Sequence, residues 1–197
     1  MQHGIVGDVT TLDAFVRTAL RQSATGDGVA LLRARESLGM GNMLELVAID
    51  RLVFERKLNE EVRLMTVRMG RKLAELTDGV LRGAIARDFL ERVKAGSTPG
   101  THPVALAVVL ATLGIDGRDG FAVQQYGVAS AILGAALRLM RVSYLDTQRI
   151  LHAALATTPA AYEEMSAVPP EDMSSFAPTM DALAAMHVKA HVRMFMN

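Results

Sequence analysis

From Phe121 to Met140 the chain is apolar nearly all the way round at helical spacing, with Gln124, Gln125 and Arg138 the main polar interruptions. A helix with no polar face to give to water predicts burial on every side, with the other elements arranged around it. Gly127, Ala131, Gly134 and Ala135 form a small-residue stripe along it. Each glycine costs about 1 kcal/mol of helix propensity, a cost kept where another backbone must come close. Ser143 and Asp146 then stand at capping-box spacing and predict a second helix anchored by Leu145, Leu151 and Leu155.

Ahead of this stretch, Thr10 with Asp13 predicts a helix start, followed by an amphipathic stripe of Leu12, Phe15, Val16, Ala19 and Leu20. Gly26, Asp27 and Gly28 predict a break, and residues 29–38 a short helix ended by Gly39 and Gly41. Asn42 with Glu45 opens the next helix. Its Leu46, Val47, Ile49 and Val53 are expected inward, and Asp50, Arg51, Glu55, Arg56 and Lys57 outward. Over residues 59–76 the expected buried stripe is Val62, Met65, Met69, Leu73 and Leu76. Arg63, Arg68, Arg71 and Lys72 flank it, Arg71 pairs with Glu75, and Gly70 marks either a close helix crossing or a binding surface. Asp78 and Gly79 predict its end, and residues 80–94 a weaker helix.

The loop at residues 96–103, GSTPGTHP, is the most evident break in the first half, and Pro103 suits a first helical turn, which needs no amide donor. Residues 104–113 are almost wholly apolar and predict a core helix beside the central one, capped by Gly114. Asp116 and Asp119 start the central helix. After Thr158 four prolines change the texture: a short helix around Tyr162 is expected, broken by Pro169 and Pro170. A last helix over 180–196 carries Leu183, Met186, Ala190 and Phe195 with His187, His191 and Arg193. The expectation is an all-α single domain of about eight to ten helices around a buried central one. Residues 1–158 form the body, 159–178 a Pro-containing linker, and 179–197 a partner-docking helix and tail.

The composition agrees with one well-filled core, or at most two small ones, in 197 residues, half of them hydrophobic. Twenty-one basic and 21 acidic side chains balance, so no long-range positive field points to nucleic acid. The chain has no cysteine, which excludes disulfides, thiolate metal sites and thiol nucleophiles. The start lacks the basic head and apolar run of a secretion signal, and the longest apolar run falls short of the about 20 residues that span a bilayer. A cytoplasmic protein without membrane attachment is expected. Twelve methionines beside nine aromatics and no tryptophan point to an adaptable core and forgiving apolar surfaces.

No phosphate-binding glycine loop and no nucleophile elbow occur, so neither a nucleotide cofactor nor catalysis is expected. His187 and His191, four apart, lie on one helix face within reach of a single metal ion, or form a packing pair near a helix end. His102 reads as a helix-start hydrogen-bonding residue, and Tyr126 as core. Arg138 either satisfies carbonyls at a helix C-terminus or reaches a carboxylate on another chain. These residues alone leave open a helical metal- or ligand-binding protein using the histidine pair, or a helical adaptor.

Four segments in order resemble the urease accessory protein UreF family. TVRMGRKLAEL (66–76) is similar to a family helix with an Arg-x-Gly-Arg core, here Arg68, Gly70 and Arg71. PGTHPVALAVVLATLGI (99–115) is similar to a Gly-His-x-Pro segment before a buried helix, with Thr101 standing between Gly100 and His102. The central stretch follows with Tyr126, Ala135, Ala136, Arg138 and Leu139, then Asp146 and Gln148. Last, FAPTMDALAAMHVKAHVRMF resembles the family's terminal signature through Phe176, Pro178, Asp181, His187, Arg193 and Phe195. Family members usually begin with a further segment ahead of the position of Gly4, Ile5 and Val6, which this chain is expected to lack.

The resemblance implies a non-enzymatic, dimeric scaffold in nickel insertion into urease, with no cofactor of its own. Such proteins bind the UreD (UreH) accessory protein and recruit the GTPase UreG to the urease apoprotein. The resemblance makes Arg68, Gly70, Arg71, His102, Tyr126, Arg138, Gln148, His187, Arg193 and Phe195 candidate partner-binding residues, the last three toward UreD.

Overall fold

The computed structural model describes residues 6–174, and among them the fold is all helical. Helix α1 spans Val9–Ser23, α2 Val29–Gly39, α3 Met43–Arg56, α4 Glu60–Leu81 and α5 Ala84–Lys94. Helix α6 spans His102–Thr112, α7 Gly117–Leu139, α8 Tyr144–Leu155 and α9 Thr158–Met165. Capping chemistry sets several boundaries as read from the sequence. The Asn42 side chain accepts from the Glu45 amide at 3.2 Å, and Asp116 accepts from Asp119 at 2.8 Å. Ser143 and Asp146 close a full capping box, and Pro103 lies in the first turn of α6.

The centre of the molecule is α6, not α7. Val104, Ala105, Ala107, Val108 and Leu110 of α6 are buried, and the helix packs chiefly between α2 and α4, with α5 and α3 also touching it. On the far side of α2 lies α7, which with α1 and α8 encloses a second, smaller core of Leu12, Val16, Leu20, Ala129, Leu133, Ala136, Ile150 and Ala154. Only one side of α7 is covered, so its outer residues, Tyr126 among them, face outward.

Several boundaries differ for local physical reasons. Helix α1 is capped by Asp8, whose carboxylate accepts from the Thr11 amide at 2.8 Å, while Asp13 pairs instead with Arg17. Gly26 and Gly28 do not break the chain: one wide π-helical turn, Ala24–Gly28, carries α1 straight into α2. A Cβ on Gly28 would stand 2.6 Å from the Phe121 ring, so this glycine admits α7 rather than ending a helix. Helix α4 runs through Asp78 and Gly79 to Leu81 and stops at Arg82, in the left-handed conformation at φ 53°. Consequently α5 starts only at Ala84. Glu75 pairs with Lys72 rather than Arg71, and Leu145 is exposed, α8 burying Thr147, Ile150 and Ala154 instead.

The Pro-containing stretch belongs to the packed body as far as residue 174. Tyr162 meets Phe121 edge-on at 6.0 Å between ring centroids, and Met165 and Met173 are buried in the main core. The Arg56 guanidinium donates to the carbonyls of Glu171 and Met173. Thr25 and Ser174 exchange two hydrogen bonds, at 2.8 and 2.9 Å. The expected helix over 180–196 lies outside the described residues.

Candidate interaction surfaces

Asp50 of α3, expected on the surface, is fully buried. Its carboxylate accepts from Thr98 Oγ1 at 2.6 Å, from the Gly100 amide at 2.7 Å, from the Thr101 amide at 2.8 Å and from Thr101 Oγ1. Four donors on two oxygens offset the loss of water around a buried charge. The loop over residues 95–101 is thus tied down from beneath. From outside, Arg51 donates to the Ser97 carbonyl at 2.9 Å and Arg71 to the Pro99 carbonyl at 3.3 Å. The signal for Asp50 was in the sequence: four residues after Leu46, beside Ile49 and three before Val53, it continues the apolar stripe of α3.

The tethered loop explains which side of α4 turns inward. A Cβ on Gly70 would stand 2.2 Å from the Gly100 carbonyl oxygen and 2.5 Å from the Thr101 carbonyl carbon. Only glycine lets the helix lie so close to a loop backbone. Thr66, Gly70, Ala74 and Thr77 are therefore the buried positions of α4; of the expected stripe Met65, Met69 and Leu76 face water instead, while Val62 and Leu73 are half-buried, Leu73 against the main core. Met65, Met69 and Leu76 are each about half exposed, and Val80 is 73% exposed. The His102 amide donates to Thr66 Oγ1 at 3.2 Å. Burial holds the His102 imidazole below its ordinary pKa of 6.5, with nearby Asp27 favouring the charged form and Lys57 opposing it. Gly70, Arg71 and His102 thus meet at this loop, while Arg68 stands in solvent on the outer face of α4.

Helix α7 buries two of its polar residues beside Phe121, Ala129, Leu133 and Ala136 and leaves other apolar residues exposed. Gln124 and Gln125 are buried, hydrogen-bonded to Ser23 Oγ and to each other. Val123 and Tyr126 are 48% and 54% exposed, and a Cβ on Gly127 or Gly134 would meet nothing within 4 Å. The two glycines of the small-residue stripe thus have open space above them among the described residues, and α7 carries no charge between Asp119 and Arg138, both exposed. Where α7 meets α8 and α9, an open groove of about 540 Å³ is lined by Val123, Tyr126, Leu155, Pro159 and Tyr162 with Arg118 at its edge. Arg118 lies 5.3 Å over the Tyr162 ring and pairs with Glu163.

By length and composition α7 is apolar enough to cross a bilayer, but here its inner side packs on α1, α2, α8 and α9. Gln148 is exposed on α8, distant in sequence from the α4 loop site. His187, His191, Arg193 and Phe195 lie outside the described residues. Among those described, no group of three or more histidine, aspartate or glutamate side chains is placed to hold a metal ion.

This architecture is that of a helical docking protein, with buried polar groups that tie loops and helices together and two apolar helix faces left open. The UreF family model matches residues 6–155, and the chain belongs to the UreF family. Proteins named urease accessory protein UreF 2 from Brucella canis and from Brucella suis biovar 1 are each 57% identical over all 197 residues, which cover 81% of their length. Urease accessory protein UreF of Yersinia enterocolitica is 45% identical over the same 197 residues, covering 86% of its length.

Proposed function

We propose that this chain serves urease maturation as a non-enzymatic cytoplasmic scaffold. It pairs with a second copy of itself, binds UreD (UreH) and through that assembly recruits UreG to the apoprotein. Nickel is the cargo of the assembly. Family membership supports the general role. The observation that carries the docking role is the outer face of α7, apolar, uncharged between its ends and unpartnered among the described residues, while Gln124 and Gln125 lie on the buried side with Phe121, Ala129, Leu133 and Ala136. A helix oriented that way has a second partner in its working state.

The same face is complementary to itself. An antiparallel two-fold crossing centred at the level of Val128 and Ala129 sets Tyr126 opposite Ala131, Val123 opposite Gly134, and Asp119 opposite Arg138. Large residues meet small ones, and the end charges pair. By family resemblance the segment over 179–197, with His187, Arg193 and Phe195, docks UreD.

The test is size-exclusion chromatography with light scattering on the wild-type chain and Tyr126→Asp, alone, with UreD, and with UreD, UreG and GTP. A wild-type dimer that captures UreG through UreD is expected. Tyr126→Asp should elute as a folded monomer. A wild-type chain that stays alone in every mixture overturns the scaffold reading, and an undisturbed dimer in Tyr126→Asp overturns the use of α7.

A further inference from the structure

The outer face of α4 is a second open surface, separated from α7 by α6 and α2. Its exposed seam runs Met65, Met69, Lys72, Leu76 and Val80, spaced by four, three, four and four residues, which is the repeat by which one helix meets another. Met65 to Val80 covers about 22 Å, or about four helical turns. Methionine at two of the five positions makes the surface adaptable to the shape of what it meets. Arg68, exposed and without a partner among the described residues, borders the seam, and Lys72 stands in its middle. The ion pair of Lys72 with Glu75, at 3.0 Å, is a surface i,i+3 pair, easily exchanged for another carboxylate.

We infer that this face takes a four-turn amphipathic helix of a partner protein, with apolar residues at three- and four-residue spacing and a carboxylate set against Lys72 and Arg68. Two other occupants fail on charge. A second copy paired two-fold along the seam, parallel or antiparallel, sets each Lys72 against the other's, a like-charge contact in the middle of an apolar strip. Among the side chains of residues 175–197 a single carboxylate, Asp181, stands against Lys189 and Arg193, the wrong sign for a surface bearing Arg68 and Lys72. The occupant is therefore a different chain, acidic where this face is basic.

This inference rests on the scaffold reading, and the experiment separates the two. The 197-residue chain, alone and assembled with UreD, UreG and urease apoprotein, is exposed briefly to hydrogen peroxide, and oxidation of Met65 and Met69 is read by mass spectrometry. A zero-length carbodiimide cross-link from Lys72 is mapped in the same samples. The expected result is at least fivefold slower oxidation of both methionines in the assembly and a Lys72 link to an aspartate or glutamate within a partner helix. Arg68→Glu/Lys72→Glu and Met69→Asp should each weaken that partner's binding at least tenfold with unchanged circular dichroism and melting.

An assembly that forms while Met65 and Met69 oxidise as fast as in the free chain overturns the α4 inference and leaves the scaffold standing. So does protection in the chain alone at every dilution, which makes the occupant its own tail. Protection that depends on concentration in the chain alone makes it a second copy, with the same consequence. Failure of any assembly to form overturns the scaffold reading and this inference with it.

Discussion

At the scale of single residues, the decisive side chain is Asp50. It gathers four donors from one loop at a place with no access to water, so its charge is a requirement of the fold rather than a surface ornament. Asp50→Asn keeps the shape but puts an NH2 group against donors that need an acceptor. It should cost about 2–4 kcal/mol, read as a lower urea midpoint at neutral pH. His102 supplies a pH signature. Its pKa is lowered in the fold, so the unfolded chain takes up a proton first as pH falls through 6.5, and stability declines from there toward the lower folded pKa. Urea midpoints between pH 8 and 5 should show this decline, and His102→Gln should remove it. The cap carboxylates of Asp8 and Asp146 act lower down. Both are held below 3.8, chiefly by hydrogen bonds from Thr11 and Ser143, so their contribution is present above that value and is lost as pH falls through their folded pKa values.

At the scale of elements, α4 and α7 teach the same lesson in opposite chemistry. Helix α4 buries Thr66, Gly70, Ala74 and Thr77 and leaves Met65, Met69 and Leu76 outside, and α7 buries Gln124 and Gln125 beside Phe121 and Leu133 and leaves Val123, Tyr126 and Leu137 outside. In α4 the reason is the close approach of the Gly100–Thr101 backbone to Gly70; in α7 the Gln124 amide bonds Ser23 at the end of α1. The glycines of α7 allow a sharp test. Because Gly127 and Gly134 face open space in the single chain, Gly127→Ala and Gly134→Ala should each stabilise the isolated monomer by about 0.5–1 kcal/mol through helix propensity. If α7 crosses its own copy, Gly134→Ala should at the same time weaken the dimer, because Val123 of the facing chain fills the space above it. Melting at high dilution and sedimentation at high concentration measure the two effects separately.

At the scale of the whole molecule, the larger core is built around α2 and α6 and the smaller one between α1, α7 and α8, and the open faces of α4 and α7 lie apart from one another. A scaffold built this way can hold two partners without either displacing the other. The body is closed at its described C-terminal end by the Thr25–Ser174 pair and by Arg56 on the carbonyls of Glu171 and Met173. Deleting residues 178–197 should accordingly leave a single cooperative thermal transition close to that of the full chain. On the proposed role of the tail, the deletion should abolish co-elution with UreD.

What the sequence determined by itself was local. The all-helical class, the caps at Asn42, Asp116 and Ser143, the Pro103 start and the break at Pro169 and Pro170 follow from hydrogen bonds and dihedral limits within a few residues, which need no knowledge of the rest of the fold. The resemblance carried by Arg68, Gly70, Arg71 and His102 was likewise read along the linear chain, though not the loop at which Gly70, Arg71 and His102 meet. Which side of each helix faces inward was decided only by the tertiary structure. For helices as apolar as α7, or as mixed as α4, periodicity gives no single answer. The choice fell to the Asp50-tethered loop that needs Gly70 beneath it, to Gln124 reaching Ser23, and to Phe121 passing over Gly28. Those contacts join residues from about 30 to about 100 positions apart, and only the folded chain brings them within bonding distance.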